Sequence, residues 1–230
     1  MTVLCERGFM KYSCIILDHD DTVVNSTATI HYPAFLAYMK DVRPEINYTC
    51  DEYFEYNFDP GVIPFFHDIC GLSEQEMKEE EAFWNNFVKT RIPEAYPGLK
   101  EMMERYREAG GKICVVSHSF SHYILRDYEA NGLPEPDLIF GWDMEPELRK
   151  PNPHAVYEIE KKYSLKPEEI LMVDDLKPGY DMARAAGVNF AAAGWANDVA
   201  KIRNFMMKNC DYYCRTVEDL SKLLFSTEGI

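Results

Sequence analysis

Three aspartates stand within four positions in the stretch CIILDHDDT, which begins at Cys14. The apolar residues before them are typical of a buried strand, whose end would bring Asp18, Asp20 and Asp21 into one small patch. Like charges held that close together cost free energy unless a positive charge lies between them. The spacing therefore predicts a divalent cation at this point of the chain.

Other polar residues follow apolar runs farther along the chain. Ser117 and His118 follow KICVV, Lys150 stands in RKPNP after the run DLIFG, and Asp174 and Asp175 end the run ILMVDD. If each run is a parallel strand, these residues lie at the carboxyl edge of one sheet, where ligands bind in such folds. The sequence thus predicts one composite site built from four separate segments.

The residue types at this predicted site suit phosphoryl transfer. Asp18 would attack a phosphorus atom and form an aspartyl phosphate. Asp20, two residues later on the same side of the chain, would act first as general acid and then as general base. Lys150 would offset the negative charge of the phosphoryl group and the nucleophile. The phosphate oxygens would be bound by Ser117, His118 and Lys150.

Mg²⁺ is the expected cofactor, because it prefers hard oxygen ligands and retains several waters. The candidate ligands are carboxylate or carbonyl oxygens of four residues, Asp18, Asp20, Asp174 and Asp175. Of the adjacent pair, either aspartate could bind the metal directly. The roles of His19 and Asp21 also stay open at this point, although an aspartate at a strand end often caps the next turn.

Short apolar runs alternate with segments of helical spacing over most of the chain. Strands are predicted at 14–17, 112–117, 137–141, 170–175, 188–194 and 211–214. Helices are predicted after Gly98 up to the glycine pair at 110–111, and at 152–164, 178–187 and 196–208. This alternation indicates an α/β fold with a doubly wound, mostly parallel sheet and helices on both faces.

Residues 26–95 break the alternation, because they show helical periodicity and many aromatic residues but no run typical of a strand. We predict a helical cap domain there, inserted into an α/β core formed by residues 1–25 and 96–230. Ser73 and Glu76 have the spacing of a capping box. The aromatic side chains could line a pocket, but most are expected to form the cap's own small core. Both linkers should lie beside the site, so the cap is expected to act as a mobile lid that selects the substrate.

Charge and cysteine content limit the partners. Acidic residues outnumber basic ones by 39 to 24, so a net charge of −15 repels phosphate backbones and anionic headgroups. Nucleic acid and membranes are therefore not expected as partners, and a small-molecule phosphate ester is. Seven cysteines and no apolar stretch of membrane-spanning length favour a reduced, cytoplasmic protein. The sequence gives no indication of the oligomeric state.

The motifs resemble those of the haloacid dehalogenase-like hydrolases over nearly the whole chain. DHDDT is similar to the family's D-x-D-x-T signature, VVSHS to its strand-ending Ser/Thr, KPNP to its Lys-Pro-x-Pro, and DDLKPGYDMARAAG to its acidic pair followed by Gly. The insert is similar to that of the phosphoglycolate phosphatase and β-phosphoglucomutase branch, which implies a Rossmann-like core with a helical cap. Asp21 replaces the family's usual Gly at a position where a positive φ is expected, and Leu176 replaces a common Ser.

The resemblance implies a Mg²⁺-dependent phosphatase that hydrolyses a small phosphorylated metabolite through an aspartyl phosphate. The alternative enzyme is a phosphomutase of the β-phosphoglucomutase type, which differs in the access of water to the closed site. A dehalogenase is disfavoured, because such relatives typically lack the second aspartate, here Asp20. The alternative outside enzymes is a non-catalytic phosphoacceptor or binding module. A receiver-like domain, however, places its acidic pair after the first strand, whereas Asp174 and Asp175 come late.

Overall fold

The fold rests on a central parallel sheet, seen in a computed structural model that describes residues 10–225. Within that range the strands are β1 (Cys14–Leu17), β2 (Lys112–Val116), β3 (Leu138–Phe140), β4 (Ile170–Asp174), β5 (Asn189–Ala193) and β6 (Tyr212–Cys214). All neighbouring strands pair in parallel, in the order β3-β2-β1-β4-β5-β6. Every predicted strand is present, and the α/β fold is confirmed.

The helices fall into two groups along the chain. Those before β2 are α1 (Tyr32–Val42), α2 (Cys50–Phe58), α3 (Val62–Pro64), α4 (Glu74–Val88) and α5 (Leu99–Glu108). Those after β2 are α6 (Ser121–Ala130), α7 (His154–Tyr163), α8 (Lys177–Ala186), α9 (Ala200–Asn209) and α10 (Val217–Leu224). The predicted helix at 196–208 begins only at Ala200, because the side chain of Asn197 accepts a hydrogen bond from the Val199 amide and forms a turn there.

Both faces of the sheet are buried, because alternate residues of a strand point to opposite sides. Ile15 and Leu17 of β1 pack in one apolar cluster with side chains of α5, α6 and α10. Cys14 and Ile16 pack in a second cluster with α7, α8 and α9. The sheet is therefore doubly wound, and its centre is fully covered.

The strand order places the predicted site at a crossing point of the chain. From β1 the chain continues to β2 and β3 on one side of the sheet, and β4, β5 and β6 lie on the other side. Ligands bind in open parallel sheets beyond the carboxyl ends of the strands at such a switch point. Asp18 directly follows β1 and so lies at this point.

Helices α1 to α4 lie between β1 and β2, where the sequence predicts the cap. The capping box at the start of α4 is confirmed, since Ser73 Oγ accepts from the Glu76 amide and the Glu76 carboxylate accepts from the Ser73 amide. Most of the aromatic residues of this segment form a cluster of their own, which includes Phe35, Tyr38, Tyr53, Phe65 and Phe66.

Two aromatic residues of α2 pack differently. Phe54 and Phe58 belong to the apolar cluster of the α/β core, and the Phe58 ring meets the Phe205 ring of α9 edge-on, with centroids 5.2 Å apart. Helical periodicity shows which face of α2 is apolar, but it does not show which partner covers that face. The division of the chain into two domains therefore stays a prediction, and the structure shows that α2 is anchored on the core.

The two segments that join this insert to the core run side by side. Val24 and Ala95 form an antiparallel bridge, and the amides of Asn25 and Tyr96 donate to the carbonyls of Glu94 and Val23. The entry and exit of the insert are thus held together by backbone hydrogen bonds, next to the loop that follows β1.

Within residues 10–225 no helix has both the length and the apolar character needed to cross a bilayer.

Candidate active site

Lys150 joins the loops at the carboxyl edge of the sheet. Its ammonium lies 2.8 Å from Asp18 Oδ1, after β1, and 2.7 Å from Asp174 Oδ2, at the end of β4. All three side chains are buried. Although burial opposes it, the charges of Asp174 and Asp18 raise the pKa of Lys150 above its ordinary value. The lysine is therefore a charged bridge between two carboxylates, rather than a solvated residue of a surface loop.

Asp174 is held in place by the start of α8. Its Oδ1 accepts a hydrogen bond from the Leu176 amide at 2.8 Å, while Oδ2 faces Lys150. A Cβ at Gly179 would collide with the Asp174 carboxylate, so only glycine lets the helix approach this closely. The backbone amide of Leu176 thus supports Asp174, although the apolar side chain at that position cannot.

Asp18 and Asp174 also form, together with Asp175, a group of carboxylates that is suited to a cation. Oxygens of Asp18, Asp174 and Asp175 all lie within 4.8 Å of one another, and the three residues are buried. Both Asp175 oxygens lack a hydrogen-bond partner within the described residues. Burial, reinforced by the charges of Asp21 and Asp174, raises the pKa of Asp175 well above its usual value. Buried, unpaired carboxylate oxygens at this spacing fit a metal ion.

The Asp20 side chain points away from that group and is held by three donors. Ser119 Oγ donates to Oδ2 at 2.5 Å, and Ser26 Oγ donates to Oδ1 at 2.7 Å. His31 Nε2 lies 2.8 Å from the same Oδ1. Of the four predicted metal ligands, Asp20 is thus the one whose carboxylate is outside the acidic group, which leaves only its carbonyl for that role.

Trp84 settles which nitrogen of His31 carries the proton. The indole Nε1 can only donate, and it lies 3.0 Å from His31 Nδ1. His31 Nδ1 therefore accepts, and the imidazole proton is on Nε2, from which it is donated to Asp20. A neutral histidine of the insert thus positions the predicted acid and base.

The loop after β2 places Ser117, His118 and Ser119 around the same space. The Ser119 amide donates to Ser117 Oγ at 3.2 Å, and both serines are buried. His118 Nε2 lies 3.1 Å from the Lys150 carbonyl, and burial together with the Lys150 charge lowers the His118 pKa to about 4. His118 is neutral at neutral pH, and its one N–H donates from Nε2 to the Lys150 carbonyl, so this geometry leaves the ring no second N–H for the predicted contact with a phosphate oxygen.

Residues 15–193 match the family model described as haloacid dehalogenase-like hydrolase. The chain belongs to this family. Among curated proteins it is 32% identical over 120 residues to a phosphoglycolate phosphatase of Vibrio parahaemolyticus, an alignment that covers 50% of this chain and 52% of that protein. In this alignment the chain thus spans about half the length of the relative.

Two further similarities extend over nearly the full chain. A pyrophosphatase, PpaX, of Halalkalibacterium halodurans is 25% identical over 213 residues, which cover 92% of this chain and 96% of that protein. A crystal structure described as a haloacid dehalogenase-like hydrolase of Bacteroides fragilis superposes with a TM-score of 0.76 and 20% identity, covering 91% of this chain and all of that one. The latter shows the shared fold.

Two residues that the sequence left open have structural roles in this haloacid dehalogenase-like chain. His19 is buried away from the site, with Nε2 3.1 Å from Asp127 and its ring stacked near Tyr128. Asp21 has a φ of 59°, as expected for the position that the family usually fills with Gly, and its carboxylate accepts from the Thr27 amide. Burial raises the pKa of Asp21 to about 7.

A cavity of about 190 Å³ lies between the core loops and the insert. The core side contributes most of the predicted site residues, and the insert contributes mainly apolar and aromatic side chains. The core residues that line it include Asp18, Asp20, Ser117, His118, Lys150 and Asp174. The insert residues that line it include His31, Phe54, Asn57, Phe66, Met77, Glu80 and Trp84. The insert thus forms one wall of the site.

Sequence reasoning missed four residues at this site, Ser26, His31, Glu80 and Ser119. Ser119 had a usable signal, because it stands two residues after Ser117 and so could project to the same side of the loop. His31 and Glu80 had none, since each lies in a helical segment whose pattern shows amphipathicity but not what the polar face meets. Their contacts depend on how the insert docks, which is a tertiary property.

Proposed function

We propose that this chain is a Mg²⁺-dependent phosphatase that hydrolyses a small phosphate monoester through an aspartyl phosphate. The observation that carries the proposal is the Lys150 ammonium held between Asp18 and Asp174, beside an Asp175 whose buried oxygens have no partner in the described chain. The phosphatase and pyrophosphatase names of the relatives support the same class of reaction.

Asp18 is the proposed nucleophile. Its carboxylate forms a bond to phosphorus while the bond from phosphorus to the leaving oxygen breaks. Lys150, at 2.8 Å from Asp18, offsets the charge that accumulates on the phosphoryl oxygens. Ser117, which lines the same cavity, donates a hydrogen bond to those oxygens, and His118 supports the loop through its hydrogen bond to the Lys150 carbonyl.

Asp20 is the proposed acid and base. Although burial opposes it, the contacts with His31 and Ser119 lower the pKa of Asp20, so the carboxylate must take up a proton before the first step, in which it gives that proton to the leaving oxygen. In the second step it accepts a proton from the water that attacks the aspartyl phosphate and regenerates Asp18. The hydrogen bonds from Ser26, Ser119 and His31 fix its orientation. A fixed orientation matters, because proton transfer requires hydrogen-bonding distance to the reacting oxygen.

Asp18, Asp174 and Asp175 would hold the Mg²⁺, together with the Asp20 carbonyl. When bound there, the ion supplies positive charge that lowers the repulsion between the acidic site and a phosphate dianion. Its binding also satisfies the Asp175 oxygens, which otherwise lie buried without a partner.

The test is hydrolysis of p-nitrophenyl phosphate with and without Mg²⁺, by the parent protein and by Asp18→Asn. The variant keeps the shape of the side chain but not the nucleophilic charge, so activity should fall by at least about 10³-fold. Asp51→Asn, at an exposed position in the first turn of α2, is the matched control and should retain full activity. Undiminished turnover in excess EDTA, or substantial turnover by Asp18→Asn, would contradict the proposal.

The phosphomutase alternative predicts a different product. A mutase returns the phosphoryl group to a second sugar hydroxyl, so a sugar phosphate would be isomerised rather than releasing inorganic phosphate. Phosphate release from most of a substrate panel, without isomerised product, is the result that we expect.

A further inference from the structure

The insert side of the cavity carries information about the leaving group, because the phosphate itself is bound by the core loops. We infer that the substrate is a phosphate monoester whose alcohol has no second anionic group, packs an apolar portion against the insert, and presents a hydroxyl or ammonium donor to Glu80. This inference rests on the proposed phosphatase function and names its substrate class.

The first argument is the absence of an available cation among the described residues around the cavity. Lys150 is engaged by Asp18 and Asp174. Both ring nitrogens of His31 are engaged, Nδ1 by Trp84 and Nε2 by Asp20. A carboxylate or second phosphate on the leaving group would therefore be desolvated without a positive partner, which costs free energy.

The second argument is the negative charge that the insert places in the cavity. Glu80 of α4 lines it, is partly buried, and has no hydrogen bond or ion pair with any described residue. Burial, followed by the charge of neighbouring Glu81, raises the pKa of Glu80 to about 7. Glu81 also lines the cavity, but its carboxylate accepts from Trp142 Nε1 at 3.0 Å. Glu80 is the acidic group left to accept a hydrogen bond from a ligand.

The third argument is the apolar surface around Glu80. Phe54, Phe66, Met77 and Trp84 line the same part of the insert, and Trp84 is fixed by its hydrogen bond to His31. Apolar walls with a few fixed polar groups are the usual composition of a small-molecule site, in which the polar groups determine orientation. An alcohol with both an apolar portion and one donor matches this lining.

The inference separates this chain from the substrates that its relatives are named for. Phosphoglycolate carries a carboxylate, and pyrophosphate carries a second phosphate, so each brings a second anion toward Glu80. A sugar bisphosphate of the kind used by a phosphomutase has the same difficulty. The similarity to those relatives thus concerns the chemistry of the core loops more than the group that is released.

Three esters of nearly equal size test the charge preference: 2-phosphoglycolate, 2-hydroxyethyl phosphate and phosphoethanolamine. At about pH 8, above the pKa of about 7 that burial gives Glu80, we expect kcat/KM for the hydroxyethyl and aminoethyl esters to exceed that for phosphoglycolate by about tenfold or more, because like charges at a binding surface disfavour a ligand. Benzyl phosphate should also have a lower KM than ethyl phosphate. Equal KM values for benzyl and ethyl phosphate would show that the insert does not bind an apolar portion of the substrate.

Glu80→Gln identifies the group responsible. This variant should reduce the preference against phosphoglycolate several-fold and should weaken the binding of phosphoethanolamine. Its thermal unfolding shows whether the fold is still stable. Glu79→Gln makes the same charge change one residue away, at an exposed side chain that accepts from Gln75, and should leave all the ratios unchanged.

The outcomes distinguish this inference from the proposed function. If p-nitrophenyl phosphate is hydrolysed but phosphoglycolate is the best of the three esters, or if Glu80→Gln leaves their ratios unaltered, the substrate class is wrong and the phosphatase stands. If the protein hydrolyses none of these esters with Mg²⁺ present, the proposed function itself fails.

Discussion

On the core side of the cavity charged groups meet partners at hydrogen-bonding distance, whereas on the insert side Glu80 lines the cavity together with aromatic and aliphatic side chains. Lys150 contacts two carboxylates, and Asp20 accepts from three donors. Paired charges fix geometry in the way that a reaction common to many esters requires. An unpaired carboxylate among apolar groups is instead suited to choosing among ligands, because its free energy depends on what is bound.

The difference between the two sides of the cavity predicts different effects of substitutions, which mutagenesis can test. Changes on the core side should slow all substrates, and changes on the insert side should alter their ranking. Asp20 and His31 are the informative exceptions. Asp20 belongs to the core side but acts on the leaving group, and His31 belongs to the insert but contacts the core site.

Of these three tests of the comparison, Asp20→Asn should cause the largest loss of rate, with an alkyl phosphate as the substrate. Loss of the proton donor should lower kcat by about 10² to 10⁴-fold, the usual contribution of a general acid. p-Nitrophenyl phosphate should lose much less, because its leaving oxygen departs without a proton. Steady-state rates on the two esters measure this difference, and equal losses would show that Asp20 does not act as the acid.

Lys150→Ala should lower kcat/KM by roughly 10²-fold for every ester, because a preorganised charge beside the nucleophile is lost. Lys150→Met keeps the apolar stem and should lose a similar amount, which separates charge from packing. Lys222→Ala, in an exposed i,i+4 pair with Glu218 on α10, should have no effect. A loss below about threefold for Lys150→Met, or a loss that depends on the ester, would contradict the assigned role.

His31→Ala should produce a smaller loss of about tenfold, because Asp20 keeps two of its three donors. The substrate ranking should stay the same, although the residue belongs to the insert. His31→Gln can again donate to Asp20 and should recover part of the rate. His67→Ala, at an exposed histidine of the same insert that pairs with Asp68, is the control. A changed ranking would place His31 with the specificity residues instead.

The sequence was informative where a motif and its strand are continuous. The stretches around Asp18 and Asp174 give both the apolar run and the chemistry at its end, and the structure brings the two aspartates together through Lys150. The resemblance to the family, which usually has Gly at this position, also predicted the positive φ of Asp21. Local geometry of this kind is encoded within a few residues, because a strand end and its turn need no distant partner.

The insert was less predictable for a physical reason. Its helices were expected, and Ser73 as a helix start was confirmed. The packing of Phe58 against Phe205 and the contact of His31 with Asp20 depend on how the insert packs against the α/β core. Many combinations of helix faces satisfy the same amphipathic pattern, so composition could not show which side chains of the insert enter the site.

The paired backbone segments at Val24 and Ala95 have a consequence for engineering and for evolution. Backbone hydrogen bonds join the two ends of the insert. The distance between its two attachment points on the core is therefore fixed, whatever lies between them. Replacing the insert with a longer or shorter helical unit costs little additional loop-closure entropy, since that cost grows only with the logarithm of length. The junction is therefore a natural place to exchange one insert for another while the loops at the carboxyl edge of the sheet stay unchanged.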